Sequence, residues 1–228
     1  MGDAELPVVR PLVVGANHRS SSLMLRDRLF LEDEGVPAFL ARLSAMGIEE
    51  ALLLSTCDRV EVQALHADPH AADAAIRTCF AERAGDLARS LDGQCYTYMD
   101  DRAVEQIFSV AASLDSQIVG EPQILGQVKA AHRIARETGM VGRQLESLMQ
   151  AAYSAAKRVR TETTIGERPV SIAAAAVDLA RDIHGDLARA RGLLIGVGDM
   201  GHLIAEHLLA GGLKQLTVTH PLVARASI

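Results

Sequence analysis

Six residues, Leu54-Ser55-Thr56-Cys57-Asp58-Arg59, carry the most openly reactive chemistry in the chain. They follow a short apolar run, residues 51–54, and precede the alternating segment 59–65, Arg-Val-Glu-Val-Gln-Ala-Leu. That pattern places the cysteine in a tight connection between two strands. A thiolate is nucleophilic, and the cation of Arg59 two residues on favours that form. The opposing reading is a small cysteine that packs like an apolar residue. Polar neighbours on both sides argue against core filling, but spacing alone leaves both readings open.

A second polar set lies in residues 116–127, SQIVGEPQILGQ. Gly120 and Pro122 interrupt any helix there. Ser116, Glu121, Gln123 and Gln127 crowd among Ile118, Val119, Ile124 and Leu125. Such a set serves either as helix capping and a hydrogen-bonded turn or as a pocket for a small charged ligand. A third stretch is Gly196-Val197-Gly198-Asp199-Met200-Gly201, set between an apolar strand and an amphipathic helix closed by Gly211-Gly212. In that setting the glycines let backbone N–H groups and a helix N-terminus approach a pyrophosphate. An NAD site would add an acid near the end of the next strand; the chain has Thr219, His220 and Pro221.

The elements that must position these stretches follow from periodicity and punctuation. Residues 12–15 and 51–54, 60–66 and 96–99 read as strands. Residues 23–31, 36–46 and 69 to about 91 read as helices, the second ended by Gly47. The order β, α, β, β, α, β is that of a split βαβ sandwich, an antiparallel sheet with helices on one face. Asp100 and Asp101 are placed to cap a helix over 103–114, and Pro122 to open one running to Thr138. Residues 143 to about 165 form the longest helix, with Leu145, Leu148, Met149, Ala152, Ala156 and Val159 on one face. Gly166 and Pro169 break the chain. Ser171 can cap an alanine-rich helix to Ile183, ended by Gly185, and one βαβ unit follows.

The totals set bounds. The chain has 228 residues, 49% hydrophobic and 23% charged, which suits a soluble protein of one or two domains. No apolar run approaches the roughly 18 residues of a membrane span, and the N-terminus lacks a signal-peptide pattern. Cys57, Cys79 and Cys95 lie far apart without metal spacing, so free thiols in a reducing, cytoplasmic compartment and no metal are expected. A net charge of −6 gives no general attraction to nucleic acid. Residues 126–169 are locally basic, a pattern that fits either a solvated helix face or contact with an RNA backbone.

Taken together, the motifs resemble the glutamyl-tRNA reductase family. The matching stretches are GANH (15–18), LSTCDR (54–59), SLDSQIVGEPQILGQVKAA (113–131), AKRVRTETTIG (156–166), VS (170–171) and GVGDMG (196–201). The resemblance implies an α/β (α+β) chain: a split βαβ-type catalytic domain, a long linking helix and an incomplete Rossmann-like βαβ unit. It implies that residues 1–166 recognise glutamate, with a helical extension, and that 167–228 begin an NADPH-binding domain. In the family the loop cysteine attacks the ester carbonyl of glutamyl-tRNA(Glu), the tRNA leaves, and hydride from NADPH releases glutamate-1-semialdehyde for tetrapyrrole synthesis. The resemblance assigns Cys57 as nucleophile and gives Thr56, Asp58 and Arg59 the glutamyl moiety, the arginine as a bidentate carboxylate partner. Ser116, Glu121, Pro122, Gln123 and Gln127 line that pocket, and Gly196, Val197, Gly198, Asp199, Met200 and Gly201 hold the cofactor.

Three departures accompany the resemblance. The family usually has asparagine where Asp58 stands, and a carboxylate there disfavours thiolate. It has a catalytic histidine where this chain has Gln106, which hydrogen-bonds but does not exchange protons near neutral pH. It also has Asn-Arg where this chain has His220-Pro221. The sequence stops at Ile228, so the rest of the nucleotide domain and the helical region through which the family forms homodimers are expected to be missing. A shortened paralogue that binds or deacylates glutamyl-tRNA without reducing it is the alternative expectation.

Overall fold

The computed structural model describes residues 8–166, 172–196 and 199–219, in two compact units, 1–166 and 167–228. In the first unit, β1 (Arg10–Asn17), β2 (Glu50–Ser55), β3 (Arg59–His66) and β4 (Tyr96–Met99) form one sheet of order β2-β3-β1-β4. Every neighbouring pair is antiparallel. β1 and β2 therefore run the same way with β3 between them, the arrangement of a split βαβ unit.

α1 (Leu23–Leu29), α2 (Val36–Ala45) and α3 (Pro69–Ala84) pack on the face that carries Leu12, Val14, Val60 and Val62. α4 (Asp101–Ala111), α5 (Gln123–Glu137) and α6 (Arg143–Glu162) cover the other face. The sequence pattern had suggested helices on one face only. The alternation of Arg59, Glu61 and Gln63 with Val60, Val62 and Ala64 looked half-solvated, yet β3 is buried from Arg59 through Leu65. Glu61 accepts from both Arg59 and Gln63 in this buried layer, while Arg59 Nε and Gln63 Oε1 stay without a partner. Gly15 makes room for this layer: a Cβ there would lie 2.4 Å from the Glu61 Cβ.

Helix ends differ from the periodic expectation where backbone chemistry intervenes. α3 stops at Ala84, because Gly85 takes φ +60° and a 3-10 turn, Gly85–Leu91, follows. α4 runs over Asp101–Ala111 rather than 103–114, and Ser113 at φ +62° turns the chain away. Asp100 does not cap α4 with its side chain; its carboxylate accepts from Arg10 Nε at 2.7 Å. On α5 and α6 Arg133, Arg136 and Arg158 each pair with a glutamate of these helices, Glu137, Glu146 and Glu162. Much of the basic stretch is therefore internally neutralised.

In the second unit, β5 (Gly192–Ile195) and β6 (Leu216–Thr219) are parallel and joined through α8 (Asp199–Ala210), after α7 (Ile172–His184). The expected Ser171 cap and the Pro169 break lie outside the described residues. No described helix is long and apolar enough to cross a membrane.

Candidate active site

The loop between β2 and β3 is a tight turn held by one hydroxyl. Thr56 Oγ1 accepts from Asp58 N at 3.2 Å and Arg59 N at 3.1 Å, and Thr56 N donates to Arg59 O at 2.8 Å. The Thr56 side chain is therefore committed to the backbone, and the turn it closes leaves Cys57 exposed as a residue, with its thiol still shielded enough for burial to act on its pKa. The loop after β1 braces the turn, His18 N donating to Asp58 O at 3.0 Å. Asp58 Oδ1 accepts from Gln117 Nε2 at 2.7 Å and lies 2.9 Å from His18 Nδ1.

Arg59 is buried where Cys57 is exposed. Its side chain is fully buried, with Nη1 3.3 Å from Glu61 Oε2 and both terminal nitrogens 3.1 Å from Asp115 Oδ2. Nη2 also donates to the Asp115 carbonyl. Glu61 in turn accepts from Tyr96 Oη and Gln63 Nε2, each at 2.7 Å. Asp115 further takes Gln106 Nε2 at 2.9 Å and Arg19 Nη1 at 2.8 Å. Burial acts to raise the Asp115 pKa, but Gln106 and the two arginines outweigh it and hold the carboxyl below its ordinary value.

This geometry corrects two sequence expectations. Arg59 does not activate the thiol: the Cys57 pKa is raised, first by burial, then by Asp58 and Glu121, with Arg26 the cation that opposes them. The guanidinium fork that was to grip a ligand carboxylate is filled by Asp115. What remains free on Arg59 is the buried Nε, which makes no hydrogen bond.

The break between α4 and α5 arrives at the same place from the other side. Gly120 N donates to Ser113 O at 2.8 Å, and Ser113 Oγ donates to Glu121 O at 2.7 Å. Ser116 is buried with an unpartnered hydroxyl. Glu121 is half-buried near Cys57, and burial followed by Asp58 raises its pKa. Pro122, Gln123 and Gln127 are exposed at the start of α5. Beside Gln106 and Asp115 opens a depression of about 310 Å³, lined also by Arg19, Tyr98, Arg102 and Glu105.

In the second unit the structure describes the two ends of the glycine stretch, Gly196 and Gly201. Gly196 takes φ +90°, and a Cβ on Gly201 would lie 2.8 Å from the Gly196 carbonyl. α8 thus begins hard against the end of β5. Val197 and Gly198 lie outside the described residues, as do His220 and Pro221, and Asp199 and Met200 open the helix.

Residues 14–163 match the family model described as glutamyl-tRNAGlu reductase, N-terminal domain. The chain belongs to the glutamyl-tRNA reductase family. Residues 178–227 also match the shikimate/quinate 5-dehydrogenase model. Glutamyl-tRNA reductases of Rhodospirillum rubrum and a Marinomonas species are 48% and 42% identical over 94% and 96% of the chain. The chain spans about half the length of these relatives, 50% and 52%. The solved glutamyl-tRNA reductase of Methanopyrus kandleri superposes over 95% of the chain and 50% of its own, with a TM-score of 0.59 at 33% identity.

Within this unit, Thr56, Cys57, Asp58 and Arg59 share one turn, to which Asp115 and Gln117 of the break between α4 and α5 are bonded. Gln106 joins them only through Asp115. Sequence reasoning missed Asp115, Glu61, His18 and Tyr96, which hold the site together. The signal for Glu61 was present: a glycine on one strand opposite a charge on its neighbour. Asp115 had none, because its partner lies 56 residues away.

Proposed function

We propose that Cys57 is the nucleophile of an NADPH-dependent reduction of glutamyl-tRNA(Glu) to glutamate-1-semialdehyde, the first step of the five-carbon tetrapyrrole route, in the cytoplasm. The observation that carries this reading is an exposed thiol on a turn whose Arg59 keeps a buried, unpartnered Nε, with a second buried, unpartnered donor, Ser116 Oγ, in the segment that Gln117 ties to Asp58. Buried donors without acceptors are costly unless a ligand supplies one, and a glutamyl group supplies carboxylate oxygens. Family membership gives the reaction class.

Thr56 fixes the turn so that Sγ meets the ester carbonyl without a conformational search. The sulfur attacks that carbon, the bond to the ribose oxygen breaks, and the acyl group stays on Cys57 as a thioester. Ser116, Glu121, Pro122, Gln123 and Gln127 then line the acyl group, and Asp115 keeps Arg59 from swinging away. Gly196, Val197, Gly198, Asp199, Met200 and Gly201 would hold the dinucleotide, for which the positive φ of Gly196 and the close approach at Gly201 are suited. NADPH, when bound, supplies hydride.

The test is incubation of the chain with radiolabelled glutamyl-tRNA, with and without NADPH, against Cys57→Ser. Semialdehyde that requires both NADPH and Cys57 is the expected product. Absence of any Cys57-dependent loss of glutamyl-tRNA overturns the reading.

A further inference from the structure

We propose that the depression of about 310 Å³ beside Gln106 and Asp115 takes the 3′-terminal nucleotide of glutamyl-tRNA, with its base laid on the Arg102 guanidinium and its phosphate beside Arg19; this rests on the acyl-transfer reading above. Acyl transfer to Cys57 gives no role to Arg19, Tyr98, Arg102 or Glu105, which line the depression.

The lining carries the groups that a nucleotide needs. The Arg102 guanidinium carbon lies 5.3 Å from the centroid of the Tyr98 ring, and Tyr96 stacks on Tyr98 with centroids 5.1 Å apart. A base laid on the guanidinium extends this stack, as unpaired RNA bases do on arginine planes and aromatic rings. Arg102 is exposed and makes no ion pair or hydrogen bond among the described residues, so its charge is uncommitted. Arg19, with a side chain 60% exposed, is tied through Nη1 alone, 2.8 Å from Asp115 Oδ1. Glu105 is exposed, and its carboxylate, also unpaired among the described residues, can accept from a ribose hydroxyl or an exocyclic amine. Leu114, 44% exposed, adds one apolar wall. A simple anion would be repelled by Glu105, and a lipid chain would find little but Leu114. A nucleotide uses the whole set.

The depression also adjoins the turn that holds the thiol. Arg19 follows His18, whose N–H donates to Asp58 O at 3.0 Å, and Asp58 follows Cys57. One hydrogen bond and two peptide links thus join the lining to the backbone of the thiol. Asp115, which lines the depression as well, faces Arg19 with Oδ1 and both Arg59 terminal nitrogens with Oδ2. A single carboxylate therefore stands between the depression and the guanidinium assigned to the glutamyl group. Nucleotide and glutamyl group then lie on the two sides of Asp115.

The test is equilibrium binding to the full chain, by fluorescence anisotropy, of fluorescein-labelled deacylated tRNA(Glu) ending in CCA or, with the last adenosine removed, in CC. The wild type should hold the CCA form about tenfold or more tightly, the usual worth of one stacked base. Arg102→Ala should abolish most of that preference and change CC binding little. Arg102→Lys keeps the charge but loses the plane, so it should recover less than half of the preference. Lys157→Ala, at an exposed cation on α6, should leave the ratio unchanged. AMP should compete only at concentrations far above those of the CCA form. A ratio near one in the wild type, a ratio that survives Arg102→Ala, or no RNA binding overturns the proposal. AMP that binds as tightly as the CCA form assigns the depression to a free nucleotide and overturns it too. A tenfold ratio in a wild-type chain that forms no thioester supports the site and overturns only the acyl-transfer reading.

Discussion

Asp115 Oδ2 sits 3.1 Å from both terminal nitrogens of Arg59, and the arginine side chain has no exposed surface. A residue that sequence reads as a substrate ligand is thus first a structural cation, clamped at the start of β3 against the break after α4. Four predictions follow from this and neighbouring contacts, beyond the tests above.

Glu61→Ala should be strongly destabilising. It takes from buried Arg59 its fully buried partner, leaving Asp115 and, at 3.9 Å, Asp58, and removes the acceptor of Tyr96 and Gln63. Losing one partner of a buried charge pair costs about 3–5 kcal/mol. A urea titration by circular dichroism measures it, and a loss under about 1 kcal/mol would show that solvent reaches this layer.

Thr56→Ala should cost about 1 kcal/mol and Thr56→Ser far less. The hydroxyl accepts two backbone N–H groups, and serine keeps the oxygen. Iodoacetamide mapping checks the positional consequence: Cys57, the exposed thiol, is labelled ahead of Cys79 and Cys95 in the wild type, and the preference should weaken in the alanine variant alone.

Stability should decline in alkali between about pH 9 and 11. Burial pushes the Cys95 thiol up to about 11, from an ordinary value of 9.0, and burial together with Glu61 holds the Tyr96 hydroxyl well above 10. Both groups stay protonated longer folded than unfolded. Their contribution is therefore complete below the unfolded pKa and is lost as pH rises towards the folded one. For each such group the slope is about 1.4 kcal/mol per pH unit. Cys95→Ala should flatten the decline; an unchanged slope would assign it to Tyr96, the other buried phenols and the raised thiols of Cys57 and Cys79.

Gly15→Ala should unfold or loosen the first unit more than its size suggests. The added methyl lies 2.4 Å from the Glu61 Cβ and 2.8 Å from the Val60 carbonyl, both on a central strand that cannot retreat. Overpacking of this kind costs about 1–3 kcal/mol, and thermal melting reads it.

The sequence by itself determined the succession of strands and helices along the first unit through its alternation of apolar and polar runs, the turn at Cys57 and the breaks at Gly120 and Gly185. These are local properties, written within a few residues of where they act. Cys57 was legible as a thiol outside the core because polar neighbours flanked it on both sides, and it is exposed. The tertiary structure alone decided where the charges went. Whether Arg59 faces a ligand, the thiol or the interior depends on Asp115 and Glu61 reaching it, and on Gly15 leaving space. Alternation of Arg59, Glu61 and Gln63 along β3 gives the same pattern for a wet face and for a buried layer that neutralises itself. Only the packing of α4 over that face distinguishes the two, because it removes the water that would otherwise have solvated those charges.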